Sequence, residues 1–189
     1  MTSWAPAVNG RIRGISASPD GSRVYIVGSF TQVDGKTRSR IAAFNTSDGS
    51  LVSSFAPVIN SDAFSVIATN QTVYVGGWFT AVSNTPRSRL AAVRASDGAL
   101  TGWAPTASGT VYGVGLTEAQ DRVVVTGSFE ELNGQAATSI GSIDATTGTS
   151  YPFAANRVVH NTGNSASLMS LKVKGSTAYT SGYWFGGTG

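Results

Sequence analysis

Val24-Tyr25-Ile26-Val27-Gly28-Ser29-Phe30-Thr31 decides how this chain is read, because it comes back. It returns as Val73-Tyr74-Val75-Gly76-Gly77-Trp78-Phe79-Thr80 and as Val123-Val124-Val125-Thr126-Gly127-Ser128-Phe129-Glu130. A looser copy, Ala178-Tyr179-Thr180-Ser181-Gly182-Tyr183-Trp184-Phe185, lies near the end. The central glycines stand at 28, 77, 127 and 182, so the steps are 49, 50 and 55 residues. Each copy is rich in β-branched and aromatic residues, which suit a strand. Strand-like copies at that spacing mean a repeat architecture. The glycine inside each copy implies close approach by a neighbouring backbone or ring.

A second mark flanks the first. Trp4-Ala5-Pro6 returns as Phe55-Ala56-Pro57 and Trp103-Ala104-Pro105, with a degraded form at Phe153-Ala154-Ala155. The clean internal copies close a unit, so Trp4-Ala5-Pro6 reads as the outer strand of a blade begun elsewhere. Residues 7–57, 58–105 and 106–154 then form whole units, and residues 155–189 form half of one. The first whole unit predicts strands over Arg11–Ser18, Val24–Thr31, Arg40–Asn45 and Leu51–Phe55. Pro19-Asp20-Gly21 supplies a turn, Asp34-Gly35 opens a loop, and Asp48-Gly49 signals a hairpin. The second predicts Phe64–Thr69, Val73–Thr80, Arg89–Arg94 and Leu100–Trp103. The third predicts Val111–Leu116, Arg122–Phe129, Ser139–Asp144 and Thr149–Phe153. After a longer loop, Arg157–Ser165, the last unit offers only Leu168–Val173 and Ala178–Trp184.

Four-stranded antiparallel meanders at this period make an all-β fold, the β-propeller. About three and a half blades of an incomplete ring are expected here. Positions Ile15, Val66, Val114 and Leu171 stay apolar, as do Ile41, Leu90 and Ile140, which blade-on-blade packing requires. An open ring leaves strand edges that recruit other strands. The expected partners are therefore the remaining blades of the same propeller, in cis or in trans.

Composition narrows the rest. The chain has 189 residues, 41% hydrophobic and 12% charged, with 23 glycines. Low charge with ample aromatics excludes a disordered chain. The net charge of +3 comes from scattered residues without a basic run, which speaks against nucleic acid as a partner. No apolar run is long enough to insert in a membrane. Without cysteine there is no disulfide framework and no thiolate metal site. No signal-peptide pattern opens the chain, so either the protein stays inside the cell or the sequence is cut from a longer precursor, and the repeat favours the cut.

The run Ser18-Pro19-Asp20-Gly21-Ser22-Arg23-Val24-Tyr25-Ile26-Val27-Gly28-Ser29-Phe30 is followed by Asp34-Gly35, Arg38-Ser39-Arg40-Ile41-Ala42, Asp48-Gly49 and Phe55-Ala56-Pro57. Together these resemble the delta-sixty-type repeat propellers. The resemblance covers nearly the whole chain and thins in the third unit, where Ala137 and Thr138 interrupt the Arg-Ser-Arg mark. It implies a secreted or cell-surface, modular bacterial protein, in which such propellers often stand beside fibronectin type III, polycystic-kidney-disease-type or lectin-like domains. The family brings no established catalytic residues and no cofactor. The function implied is a non-catalytic scaffold or adhesion module that contacts carbohydrate or a cell-surface protein. The alternative is part of a glycan-active or quinoprotein-like propeller enzyme whose catalytic residues lie elsewhere.

Candidate chemistry is sparse. Asp20, Asp48 and Asp97 each precede a glycine and read as turn residues. A sialidase-type Asp box would place one residue between Asp and Gly. Glu130 and Glu131 are adjacent and point to opposite faces of a strand, whereas a glycosidase needs two converging carboxyls. His160, the single histidine, lies in the atypical loop, and insertions in repeat proteins map to binding faces. Arg38 with Arg40, and Arg87 with Arg89, stand two apart, sharing a strand face that would clamp an anion or hold interblade carbonyls. Trp78 and Tyr183 replace Ser29 and Ser128 at one repeat position, where an aromatic face stacks on a sugar or fills the core. Ser142-Ile143-Asp144-Ala145-Thr146-Thr147-Gly148 is similar to part of a quinoprotein docking motif, but Pro152 stands where that motif ends in Trp.

Overall fold

The structure is a computed structural model and describes residues 4–159 and 166–184. It is built almost wholly of antiparallel β-sheet. In blade one, β1 (Ile12–Ala17), β2 (Arg23–Gly28) and β5 (Ile41–Asn45) pair in the order β1-β2-β5. Between β2 and β5 sits a small hairpin, β3 (Gln32–Val33) with β4 (Lys36–Thr37). Blade two repeats this with β6 (Ala63–Ala68), β7 (Thr72–Gly77) and β10 (Leu90–Arg94), and the hairpin of β8 (Ala81–Val82) and β9 (Thr85–Pro86). Blade three has β11 (Val111–Leu116), β12 (Arg122–Gly127), β15 (Ile140–Asp144) and β16 (Ser150–Tyr151), with β13 (Glu131–Leu132) and β14 (Gln135–Ala136) as its hairpin. A 3-10 turn, Ala154–Arg157, follows. The last unit is the pair β17 (Ala166–Lys174) and β18 (Thr177–Trp184).

Close backbone approach explains the repeated glycine. A Cβ added at Gly28, Gly127 or Gly182 would lie 2.0 Å from the carbonyl oxygen of Arg11, Thr110 or Ser167. At Gly77 the same atom would lie 2.4 Å from the Asp62 oxygen. In each unit the glycine pairs with the inner strand just before a bulge, between Ile12 and Gly14, Ala63 and Ser65, Val111 and Gly113, and Leu168 and Ser170. The extra residue kinks the inner strand and re-aims its side chain.

The middle strands end at these glycines and do not run on through Thr31, Thr80 or Phe129. Beyond them Phe30, Phe79 and Phe129 turn inward and are fully buried. The Gly28 N–H donates to the Arg40 carbonyl and the Arg40 N–H to the Phe30 carbonyl, both at 3.0 Å. Gly77, Arg89 and Phe79 repeat this pattern, as do Gly127, Ser139 and Phe129. Closing that loop holds Arg40, Arg89 and Ser139 at φ of 69°, 68° and 60°. Arg40 and Arg89 therefore precede the third strand instead of lying within it. The expected loop at Asp34-Gly35 is a tight turn with φ of 49° and 71°, as are Ser83-Asn84 and Asn133-Gly134. Two successive positive φ values are the twist a two-residue hairpin needs.

The fourth strands are shorter than expected. In blades one and two they shrink to single bridges, Phe44 with Leu51 and Val93 with Leu100. The chain then peels away as a strap carrying the aromatic-Ala-Pro mark. Each strap lies against the following blade. Pro57 covers the turn glycine Gly98, Trp103 and Pro105 lie over Gly148, and Trp4 lies over Gly49. Trp4-Ala5-Pro6 is therefore a strap on blade one, with no strand pairing among the described residues.

The core lies between blades. One apolar cluster joins Tyr25, Val27 and Phe55 to Val66, Val75 and Phe79. A second joins Tyr74, Leu90 and Trp103 to Val114, Val125 and Phe129. The inner strands β1, β6, β11 and β17 follow one another side by side. Val66 and Val114 are 5% and 6% exposed because a preceding blade covers them, whereas their counterpart Ile15 is 67% exposed. Leu171 is half-buried.

Candidate functional site

The bulges place a ladder of side chains across three inner strands. The Arg13 guanidinium sits 4.7 Å above the centre of the Phe64 ring. Phe64 meets Tyr112 edge to face at 5.3 Å. Arg13, Phe64 and Tyr112 are the extra residues of successive bulges, so one backbone irregularity aims all three. Arg13 also pairs with Asp62 at 3.3 Å. Trp78 follows the close-approach glycine of blade two, and its N–H donates to the Asp62 carbonyl at 2.8 Å. Trp78 is 59% exposed. Tyr183 stands opposite Ser167 at the matching place in the last unit and is exposed. The rim where the inner strands begin thus presents Arg13, Asp62, Phe64, Trp78 and Tyr112. Flat π faces beside a guanidinium–carboxylate pair offer stacking and directional hydrogen bonds together.

The other expected residues are placed differently. The Arg38 guanidinium donates to the carbonyls of Thr37 at 2.7 Å, Val52 at 3.2 Å and Ser53 at 3.3 Å. Arg87 donates to Pro86 and Thr101, both at 2.8 Å. These two arginines hold the carbonyls of the shortened fourth strands. Burial pushes the Arg38 pKa down. Arg40 reaches the Ile59 carbonyl of the next unit at 3.5 Å, and Arg89 the Phe79 carbonyl at 3.1 Å. The positive φ at Arg40 and Arg89 removes the shared strand face, and the guanidinium donors are turned to main-chain oxygens. Their Nε atoms, with those of Arg38 and Arg87, are buried without a partner among the described residues. His160 lies outside the described residues.

The aspartates sit in turns. Asp20 accepts from the Ser18 hydroxyl at 2.6 Å and from the Ser22 N–H at 3.0 Å, and these bonds lower its pKa, Ser18 contributing most. Asp48 accepts from the Ser50 N–H and Asp97 from the Ala99 N–H, each bond holding the carboxyl below its usual range. Asp144 accepts from the N–H groups of Thr147 at 2.7 Å and Thr146 at 2.9 Å and from the Tyr151 hydroxyl at 2.7 Å. With Thr147 the largest contributor, these bonds bring its pKa down to about 2. The stretch similar to a quinoprotein motif is thus an Asp-closed turn. Glu130 and Glu131 are exposed, and their N–H groups both donate to the Ser108 hydroxyl at 3.0 Å. Among the described residues, no three of His, Cys, Asp and Glu come together to hold a metal ion, and no helix is long and apolar enough to cross a membrane.

A cavity of about 430 Å³ opens between blade three and the β17–β18 pair, floored by Val124, Ser142, Phe153 and Val173. The equivalent gaps in blades one and two are filled by phenols. The Tyr25 hydroxyl donates to the Ala95 carbonyl at 3.4 Å and the Tyr74 hydroxyl to the Ala145 carbonyl at 2.8 Å. Tyr25 faces Ala43 across the sheet and Tyr74 faces Ala92, but at blade three Val124 faces Ser142. Losing the ring leaves the void, and the Ser142 hydroxyl is buried without a partner among the described residues.

Sequence reasoning reached Trp78 and Tyr183 but missed Arg13, Phe64 and Tyr112. Each of these three is the extra residue of a bulge, one place before Gly14, Ser65 or Gly113. A bulge leaves no mark in apolar alternation over so short a strand.

Comparison with known proteins adds the following. Residues 19–55 match a family described as "Domain of unknown function (DUF5122) beta-propeller". No curated protein matches the chain. The crystal structure of the computationally designed Ika4 protein is similar, with a TM-score of 0.54 and 13% identity, over 94% of this chain and 93% of that one. The hydrazine synthase of Kuenenia stuttgartiensis is similar with a TM-score of 0.50 and 10% identity, over 75% of this chain and 36% of that one. Successive antiparallel sheets, inner strands side by side and the family match together make this chain a β-propeller of repeated blades, without a closed ring among the described residues.

Proposed function

We propose that this chain is a non-catalytic binding propeller of the delta-sixty-type repeat class, working outside the cell as an adhesion module whose ligand is a glycan. The observation that carries this is the rim of Trp78, Phe64 and Tyr112 with the Arg13–Asp62 pair. Aromatic rings grouped on one rim mark an interaction surface, whereas a lone exposed ring would need no explanation. Serine stands at the same place in blades one and three, so the fold itself does not require Trp78. A sugar ring presents apolar C–H faces to an aromatic plane and hydroxyls to a carboxylate and a guanidinium. Asp62 pairs with Arg13 at the rim, and Asp20, Asp48, Asp97 and Asp144 close turns, which fits a surface that reads its ligand.

The test is a glycan array probed with the protein, followed by titration of the best ligand into Trp78→Ser and Asp62→Asn. Trp78→Ser restores the residue of the sister blades and leaves the sheet intact. Binding that weakens about tenfold or more in Trp78→Ser is expected from the loss of one stacking face. Array binding indifferent to both substitutions, or turnover of a sugar substrate by the chain, would overturn the reading.

A further inference from the structure

The internal joints show how one blade receives the next. The middle strand sends a tyrosine forward, Tyr25 to the Ala95 carbonyl and Tyr74 to the Ala145 carbonyl. Its ring lies against the strap aromatic, Phe55 at 5.3 Å or Trp103 at 5.1 Å. The inner strands lock as well: the Ser65 hydroxyl of blade two accepts the Val114 N–H of blade three at 3.0 Å.

The two ends of the described chain carry exposed counterparts of this joint's two halves, the Ser170 hydroxyl being bonded meanwhile to Ser181 of its own strand pair. In the last unit Tyr179 stands three residues before Gly182, as Tyr25 and Tyr74 stand before Gly28 and Gly77, and it is 59% exposed. Ser170 follows the bulge there, at the place of Ser65, and is also exposed. Blade one carries the receiving half. The Thr46 N–H donates to the Ser22 carbonyl just as the Ala95 N–H donates to Gln71 and the Ala145 N–H to Asp121, so Thr46 holds their place. Trp4 stands as the strap aromatic, edge to face with Phe44 at 5.1 Å. Between Trp4, Val24, Phe44 and Gly49 lies a cavity of about 120 Å³. Beside it Ile12 and Ile15 are exposed, whereas their counterparts Ala63, Val66, Val111 and Val114 are buried by a neighbouring blade.

We propose that a second copy of this chain seats its Tyr179 in that cavity, so that two copies join head to tail around one axis. The Tyr179 hydroxyl then donates to the Thr46 carbonyl, and Ser170 accepts the Ile15 N–H. The strand pair β17–β18 of each copy covers Ile12 and Ile15 of the other. A head-to-tail contact made twice closes on a two-fold axis and leaves neither half-joint bare. Two copies bring together about eight units, at the upper end of ordinary propellers.

Light scattering or sedimentation of the 189-residue chain reads the outcome, and twice the 19.4 kDa chain mass is expected. Tyr179→Ala and Ile15→Asp alter exposed residues on opposite faces, and circular dichroism checks that each variant keeps its sheet. Each variant alone carries two damaged joints, and its dimer weakens about tenfold or more. Mixing them leaves one of the two joints intact, so the mixture associates more tightly than either variant. A wild-type chain that stays monomeric at about 100 µM, a concentration ample for any specific self-association, overturns the proposal. So does a dimer unchanged by both substitutions.

Discussion

Replacing Gly127 with alanine puts a methyl carbon 2.0 Å from the Thr110 carbonyl oxygen, with Phe129 Cδ1 at 3.0 Å on another side. Carbon and oxygen ordinarily meet no closer than about 3.3 Å, so the two strands must part by more than about 1 Å. Neither obstacle gives way easily, since one is backbone and the other a fully buried ring. Parting the strands stretches the Ser128 N–H bond to the Thr110 carbonyl, now 2.9 Å. Its loss costs about 1 kcal/mol, and overpacking costs about 1–3 kcal/mol more. A total of about 2–4 kcal/mol lowers the melting temperature of a chain this size by roughly 4–16 °C. Two controls separate space from conformation. Gly134 has φ of 71° and nothing within 4 Å of an added Cβ, so its alanine variant pays about 1–2 kcal/mol for backbone alone. Gly102 has open space and no positive φ, so its variant is neutral or gains about 0.4–1 kcal/mol. Urea titration of the three variants should rank Gly127→Ala well below Gly134→Ala, and that below Gly102→Ala. A Gly127→Ala protein as stable as Gly102→Ala would refute close approach as the reason for the repeated glycine.

Two further outcomes follow from the same geometry. Arg38→Met leaves three carbonyls without their guanidinium donor and should cost about 2–4 kcal/mol, whereas Arg38→Lys, which cannot span them, recovers part; thermal melts of both variants check this. Asp144 has a folded pKa near 2, below its unfolded value, so the stability it contributes is present above about pH 4 and is lost as pH falls through 2. Asp144→Asn should flatten the acid limb of the stability profile over that window, read by urea midpoints at successive pH values, and an unchanged limb would remove Asp144 from the account.

The fold was legible because its strongest signal is repetition, which survives uncertainty about any one element. The β-strand content of Val24–Val27, Val73–Val75 and Val123–Val125 and the turn chemistry of Pro19-Asp20-Gly21 pointed the same way. What failed lay where tertiary packing overrides propensity. Phe30, Phe79 and Phe129 extend the β-prone run in sequence, yet they leave the sheet to fill the core. The small hairpins were missed because two-residue strands carry no periodicity, although Asp34-Gly35 and Asn133-Gly134 are the residues such turns favour. The arginine pairs misled for a related reason. Two residues apart means one face only on an extended strand, and the positive φ of Arg40 and Arg89 belongs to a loop closed by distant backbone partners. The rim was half legible, since an aromatic in a serine position stands out in an alignment of the repeats, and a bulge does not.

The straps have a consequence for how the protein melts and how it is cut. Trp103 is encoded with the second repeat yet bonds through its indole N–H to the Asp144 carbonyl of the third, at 2.9 Å. Sequence module and folding module are therefore out of phase by one aromatic plug. Loss of one blade uncovers a hydrophobic seat in the next, which ties neighbours into shared unfolding instead of blade-by-blade release. Trimming or transplanting such an array keeps its seams sealed only when the cut falls upstream of the strap, so that each blade travels with the plug borrowed from its predecessor.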